Sequence, residues 1–122
     1  MTIPAWQLAL RFGLEVGSLV AVGAWAYQLT AGAPNLLAAI GASLLLAVLW
    51  GSFAVKGDPS RSGNAPVPVP GVLRLAIELI VFGAGAASLA TRGQWVWFGV
   101  FVAALLVHHL GTTERISWLL KQ

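Results

Sequence analysis

The stretch AWQLALRFGLEVGSLVAVGAWAYQL, Ala5 to Leu29, decides the fold. A helix needs about 20 predominantly apolar residues to cross a hydrocarbon core about 30 Å thick. This run exceeds that length with only two charged side chains, Arg11 and Glu15. Its Leu, Ala and Gly content suits a helix rather than the alternating ten-residue strand of a membrane barrel. Working outward, three more such runs follow, at about 34–55, 72–90 and 94–111. The expected fold is therefore all-α: one integral membrane domain over residues 1–122, a bundle of four transmembrane helices.

Composition agrees with that solvent. Of 122 residues 58% are hydrophobic and 9% charged, against roughly 25% charged in ordinary soluble domains. Seven basic and four acidic side chains cannot cover the surface of so small a globule in water. Disorder and a collagen-like fibre are excluded on the same grounds. The absence of cysteine removes disulfides, thiolate metal sites and a cysteine nucleophile. A net charge of +3 carried by scattered single residues makes no basic patch, so nucleic acid is not an expected partner. Ala24-Trp25-Ala26 has the form of a signal cleavage site, but Glu15 would stand inside its apolar core, which argues against processing.

The links organise the runs. Thr30-Ala31-Gly32-Ala33-Pro34 and Thr91-Arg92-Gly93 are short, with glycine and proline where one helix ends and the next begins, so each forces an antiparallel hairpin. Residues 56–71, which include Asp58, Arg61 and Pro66-Val67-Pro68-Val69-Pro70, form the one polar linker. We expect it to be extended in its proline section and the most mobile internal segment. Residues 112–122 read as a short amphipathic interfacial tail, with Ile116, Leu119 and Leu120 set against Glu114, Arg115 and Lys121. Arg11, Lys56, Arg61, Arg74, Arg115 and Lys121 fall on one side and Arg92 on the other, which by the positive-inside rule puts both termini and the linker in the cytoplasm. Trp6, Trp50, Phe53 and Trp118 mark that interface, and Trp25, Tyr27, Trp95 and Trp97 the opposite one.

The two hairpins share a motif. Leu10-Arg11-Phe12-Gly13-Leu14-Glu15-Val16 aligns with Leu73-Arg74-Leu75-Ala76-Ile77-Glu78-Leu79, which implies a parallel pseudo-repeat about an axis along the membrane normal. Arg and Glu four apart share a helical face. A carboxylate at that depth costs several kcal/mol unless it is paired or protonated, so reciprocal pairing is expected, Arg11 with Glu78 and Arg74 with Glu15. Gly13, Gly17 and Gly83 provide small surfaces for close helix packing. The cluster reads either as an ion-pair clasp that fixes helix register or as an ion- or proton-accessible site in the inner leaflet. His108 and His109 close the fourth span at the same depth, as interfacial polar residues or as titratable partners of the cluster. Adjacent histidines on one helix suit neither a metal nor bis-histidine haem, so no metal or cofactor is expected.

No catalytic motif is present: there is no GxSxG, HExxH, P-loop or dinucleotide fingerprint. Leu10-Arg11-x-x-x-Glu15, Ala47-Val48-Leu49-Trp50-Gly51-Ser52-Phe53 and Leu73-Arg74-Leu75-Ala76-Ile77-Glu78-Leu79-Ile80-Val81-Phe82-Gly83 resemble the YrdB family, small bacterial four-span membrane proteins known only as a domain of unknown function. The resemblance covers nearly the whole chain and implies the same topology and a bacterial inner-membrane location. It implies no activity. The long proline-rich linker and His108-His109 depart from the family pattern. The expected function is non-enzymatic: a membrane component in contact with the bilayer that self-associates or joins another membrane protein. The rival is a small transporter or channel with Glu15 and Glu78 as its proton- or cation-linked site.

Overall fold

A computed structural model describes residues 2–29, 32, 34–61 and 64–122. The chain is mostly helical, in the order α1 (Ala5–Tyr27), α2 (Pro34–Ser52), β1 (Phe53–Ala54), β2 (Val67–Pro68), α3 (Gly71–Thr91), α4 (Trp95–Gly111) and α5 (Thr113–Leu120). Proline sets three of the helix starts, because its fixed φ suits the first turn and its missing N–H loses nothing there. Pro4 and Pro70 precede α1 and α3, and Pro34 opens α2. Gly93, with φ +71°, ends α3: the amides of Gly93 and Gln94 turn back onto the carbonyls of Ala90 and Leu89 at 3.0 and 2.9 Å. That left-handed stop turns the chain directly into α4. In the first hairpin, Thr30, Ala31 and Ala33 lie outside the described residues.

Helices α1, α2 and α3 are each long and apolar enough to cross a membrane; α4 meets that measure only together with α5, from which it is bent by 68°. Burial is inverted relative to a water-soluble protein. The largest fully buried side chains include Arg11, Arg74, Arg115, His108, Gln7 and Glu78, whereas Leu37, Leu45, Val96 and Leu110 are more than 70% exposed. Water would penalise this arrangement and a lipid surrounding favours it. The apolar core is small, with Leu14, Phe82 and Phe101 at its centre and Leu10, Trp50, Ala86, Leu89, Ala104 and Leu105 around it. Helix α2 buries no residue fully and lies mainly along α1.

Helices α1 and α3 run side by side in the same direction, since Arg11 meets Glu78 and, further along both, Ser18 meets Gly85. Gly85 is required at that crossing: a Cβ there would stand 2.8 Å from Ser18 Oγ and 2.9 Å from Ser18 Cα. The pairs differ by 67 in residue number, whereas the sequence alignment of the two motifs differs by 63. The helices are thus staggered by four residues, about one turn or 6 Å. A two-fold axis along the membrane normal would hold equivalent residues at equal height, so the stagger removes the reciprocity expected from the repeat.

One local expectation also changes. The second run stops being helical at Ser52 rather than at 55, because Phe53–Ala54 pairs in parallel with Val67–Pro68. Val69 N–H adds a bond to Ala54 O at 2.9 Å. Within the linker Val67–Pro68 is extended, as expected of its proline section, and Asp58 is buried, as are Ala54 and Val55 just before it. The tail forms a short helix, α5. Helix α5 tucks Leu119 against Gly71, at the start of α3, and buries Arg115.

Candidate functional site

The charged residues gather where α1, α3, α5 and the linker meet. Glu78, on α3 and fully buried, accepts from Arg11 Nη2 at 2.6 Å and from both terminal nitrogens of Arg115, with Arg74 Nε 3.6 Å away. Arg115 also grips Asp58, through Nε at 2.9 Å and Nη2 at 2.7 Å. One planar guanidinium thus joins two sequestered carboxylates, a geometry its fork of five donors suits and an ammonium does not. Asp58 is prearranged by an Asx turn, its Oδ1 accepting from the Ser60 amide at 2.9 Å and hydroxyl at 2.8 Å. Burial raises the Asp58 carboxyl, but the Arg115 hydrogen bonds and charge, with those from Ser60, outweigh it and hold it at about 2, below the ordinary 3.8. For Arg115, burial works against the charged form, and its bonds to Asp58 and Glu78 more than reverse that, leaving its affinity for the proton above the ordinary arginine value.

Arg11 carries the network to α4. Its Nη1 lies 3.2 Å from His108 Nε2, and His108 Nδ1 lies 2.9 Å from Gln7 Oε1. Arginine can only donate, so Nε2 accepts and Nδ1 carries the proton, which fixes a neutral tautomer. Gln7 completes the chain by donating to Val107 O at 3.3 Å. Arg74 has a different task. Its Nη1 donates to Trp50 O at 2.6 Å and Phe53 O at 2.5 Å, satisfying one carbonyl in the last turn of α2 and one just beyond it. Arg74 and Arg11 both lie over the Trp50 ring, 4.3 and 4.9 Å from its centre.

The stagger explains which residues meet. Arg11 is level with Glu78, while Arg74 falls about 12 Å along the axes from Glu15, two turns too low. Among the described residues Arg74 and Glu15 form no ion pair. Glu15 keeps its own-helix partner, Arg11 Nε at 3.4 Å, and is 25% exposed. It faces a cleft of about 540 Å³ between α1, the end of α2 and the linker, which Arg11, Arg61, Arg74 and Trp50 also line. The cleft reaches Glu15 and not Glu78. His109 stands apart from the arginines and glutamates: its Nδ1 is 2.9 Å from Leu105 O of its own helix and its ring meets Phe82 edge-on. Gly17 packs on Phe101 at 3.4 Å, but Gly13 and Gly83 have nothing within 4 Å of where a Cβ would stand. The glycines at close helix contacts include Gly85, Gly23 against Ser43 on α2, Gly71 against Leu119 and Gly111 against Gln7.

Sequence reasoning missed Arg115, Asp58 and Gln7. The signal for Arg115 was present: it lies four residues before Leu119, so the apolar face of α5 that must be covered carries it along. Asp58-Pro59-Ser60 is an Asx-turn sequence. Among the described residues no three His, Asp or Glu side chains converge with metal-ligand spacing.

These elements define a class: a small helical protein with membrane-length apolar helices whose interior is a sealed ion-pair network beside an open, arginine-lined cleft. The chain belongs to the family described as "Protein of unknown function (DUF2568)", whose model matches residues 9–107. It is 36% identical over 116 residues to "Uncharacterized protein YrdB" of Bacillus subtilis (strain 168), covering 95% of this chain and 94% of that one. No solved structure matches it.

Proposed function

We propose that the protein is a non-enzymatic component of the bacterial inner membrane, with both termini and the linker cytoplasmic, which associates through its membrane face with a second copy of itself. The observation that carries this reading is an apolar groove of about 520 Å³ between α1 and α4, lined by Ala9, Gly13, Gly17, Ala21, Ala24 and Phe101. Small residues there leave the backbone of α1 open to close approach, which is how helices associate where lipid supplies no hydrophobic drive. Gly13, open on its outer side within one chain, gains a neighbour in such a pair. Six basic residues on the linker and terminal side against one at the other support the orientation.

In this reading the ion-pair network is a clasp: it joins α1, α3, α4 and α5 and presents the groove on a rigid frame. The transporter alternative asks both glutamates to exchange protons or cations, and Glu78, enclosed by three arginines, offers no access. The chain contains no cysteine, so single cysteines can be introduced cleanly. Gly13→Cys and Ala9→Cys in native membranes should give a disulfide-linked dimer, while a cysteine at exposed Leu45 should not. Gly13→Leu should abolish association. A protein that stays monomeric in mild detergent and forms no cross-link from the groove overturns the proposal.

A further inference from the structure

The cleft beside Glu15 carries an inference independent of the groove. Its deep wall combines cations and a single anion: Arg11, Arg61 and Arg74 stand around Glu15. Arg61 Nε is enclosed without a hydrogen-bond partner, and Arg74 Nε, also without one, faces Glu78 Oε1 at 3.6 Å. Glu15 accepts a hydrogen bond from the Trp50 side chain and holds Arg11 through a 3.4 Å ion pair on one oxygen, which leaves lone pairs to offer as well. The mouth is apolar: Leu8 and Phe12 of α1 line it and are 37% and 66% exposed, on a face that meets acyl chains if α1 spans the bilayer. A site with arginine donors, one carboxylate and an apolar mouth is complementary to a molecule carrying phosphate and ammonium together with a hydrocarbon tail. A simple anion would leave Glu15 opposed and a simple cation would leave the arginines opposed.

We propose that this cleft binds the phosphate–ammonium headgroup of an aminophospholipid, the phosphate on Arg61 and Arg74 and the ammonium on Glu15, with acyl chains leaving past Leu8 and Phe12. Arg61 and Ser60 belong to the linker, so the bound headgroup also fastens the linker to α1.

The test uses the full chain purified in mild detergent, with lipid retention followed by native mass spectrometry. Phosphatidylethanolamine is compared with phosphatidylcholine of identical acyl chains, whose three N-methyl groups remove every N–H that Glu15 would accept. Retention of the ethanolamine lipid should be on the order of tenfold tighter. Glu15→Gln should erase that preference, and Arg61→Gln should weaken both lipids several-fold. Soluble O-phosphoethanolamine that competes as well as the lipid assigns the site to a free headgroup. Failure to compete assigns it to the membrane lipid, and both keep the proposed chemistry. Equal retention of the two lipids, or a preference that survives Glu15→Gln, overturns it. Arg61 lies outside the helices, so its variant decides the matter should Glu15→Gln fail to fold: unchanged affinity for both lipids then refutes the site.

Discussion

Arg115 is the side chain whose removal the structure makes most costly. It donates four hydrogen bonds to two carboxylates, Asp58 and Glu78, both fully buried at the side chain. Arg115→Ala leaves the carboxylates in place and takes away their shared cation. Glu78 keeps Arg11 at 2.6 Å, whereas Asp58 keeps only the amide and hydroxyl of Ser60. Breaking a buried pair by removing one partner costs about 3–5 kcal/mol, and the residual contacts of Glu78 place this case near the lower end, at about 3 kcal/mol. Asp58→Asn alone should cost about 2 kcal/mol, and the double variant Asp58→Asn/Arg115→Ala about 3, because the orphaned charge at Asp58 is gone. The assay is reversible unfolding of the detergent-solubilised protein, followed by tryptophan fluorescence, which Trp118 on α5 makes sensitive to the tail. A coupling energy below about 0.5 kcal/mol, or an Arg115→Ala protein within about 0.5 kcal/mol of wild type, refutes the bridge as the fastening of α5.

Three further outcomes follow from the same geometry. Glu78→Gln should destabilise by about 3 kcal/mol while Glu15→Gln, partly exposed and with Arg11 as its one ion-pair partner, costs under about 1, and equal losses in the same unfolding assay would contradict the distinction between sealed and open carboxylates. Asp58 titrates at about 2 when folded against the ordinary 3.8, so its contribution is complete above pH 3.8 and is lost as pH falls toward 2. That difference corresponds to about 2 kcal/mol, and the stability gap between wild type and Asp58→Asn should close over this window, whereas a gap constant with pH would refute it. Gly85→Val places a Cβ within 2.9 Å of the Ser18 backbone and should separate α1 from α3, read as a loss of several degrees in thermal midpoint, with Gly83→Val, which meets nothing, as the silent control.

The long helices were legible because hydropathy reports the solvent directly: the expected first run, 5–29, differs from α1 only at its end. The end of α2 was not, since Phe53-Ala54-Val55 is as apolar in a strand as in a helix. Arg74 makes the difference physical, because it caps carbonyls that a continuing helix would consume. Arg11, Glu15, Arg74 and Glu78 stood out because charge is rare in such spans, but their pairing did not. Alignment counts residues along a chain, whereas pairing depends on height in the fold, and one turn of stagger turns a reciprocal arrangement into a single cross-pair with Glu15 left facing the cleft. Arg115 escaped notice for a related reason: a cation near a chain end reads as solvated until Leu119, on the same face, requires it to go inside. His109, beside His108 in sequence, is turned about 100° from it and bonds its own helix while its ring meets Phe82 of α3.

The placement of Arg115 bears on how the chain is made. Helices α1 and α3 each carry a cation and a carboxylate four residues apart, so each leaves water as a locally neutral unit. Arg115 emerges from the ribosome only after the four long helices are complete. A nascent chain that has not yet reached residue 113 holds Glu78 against two arginines and Asp58 against none. Closure of the charged layer therefore waits on α5, which follows the four longer helices along the chain, and a chain stopped before residue 113 is expected to hold its linker unfastened.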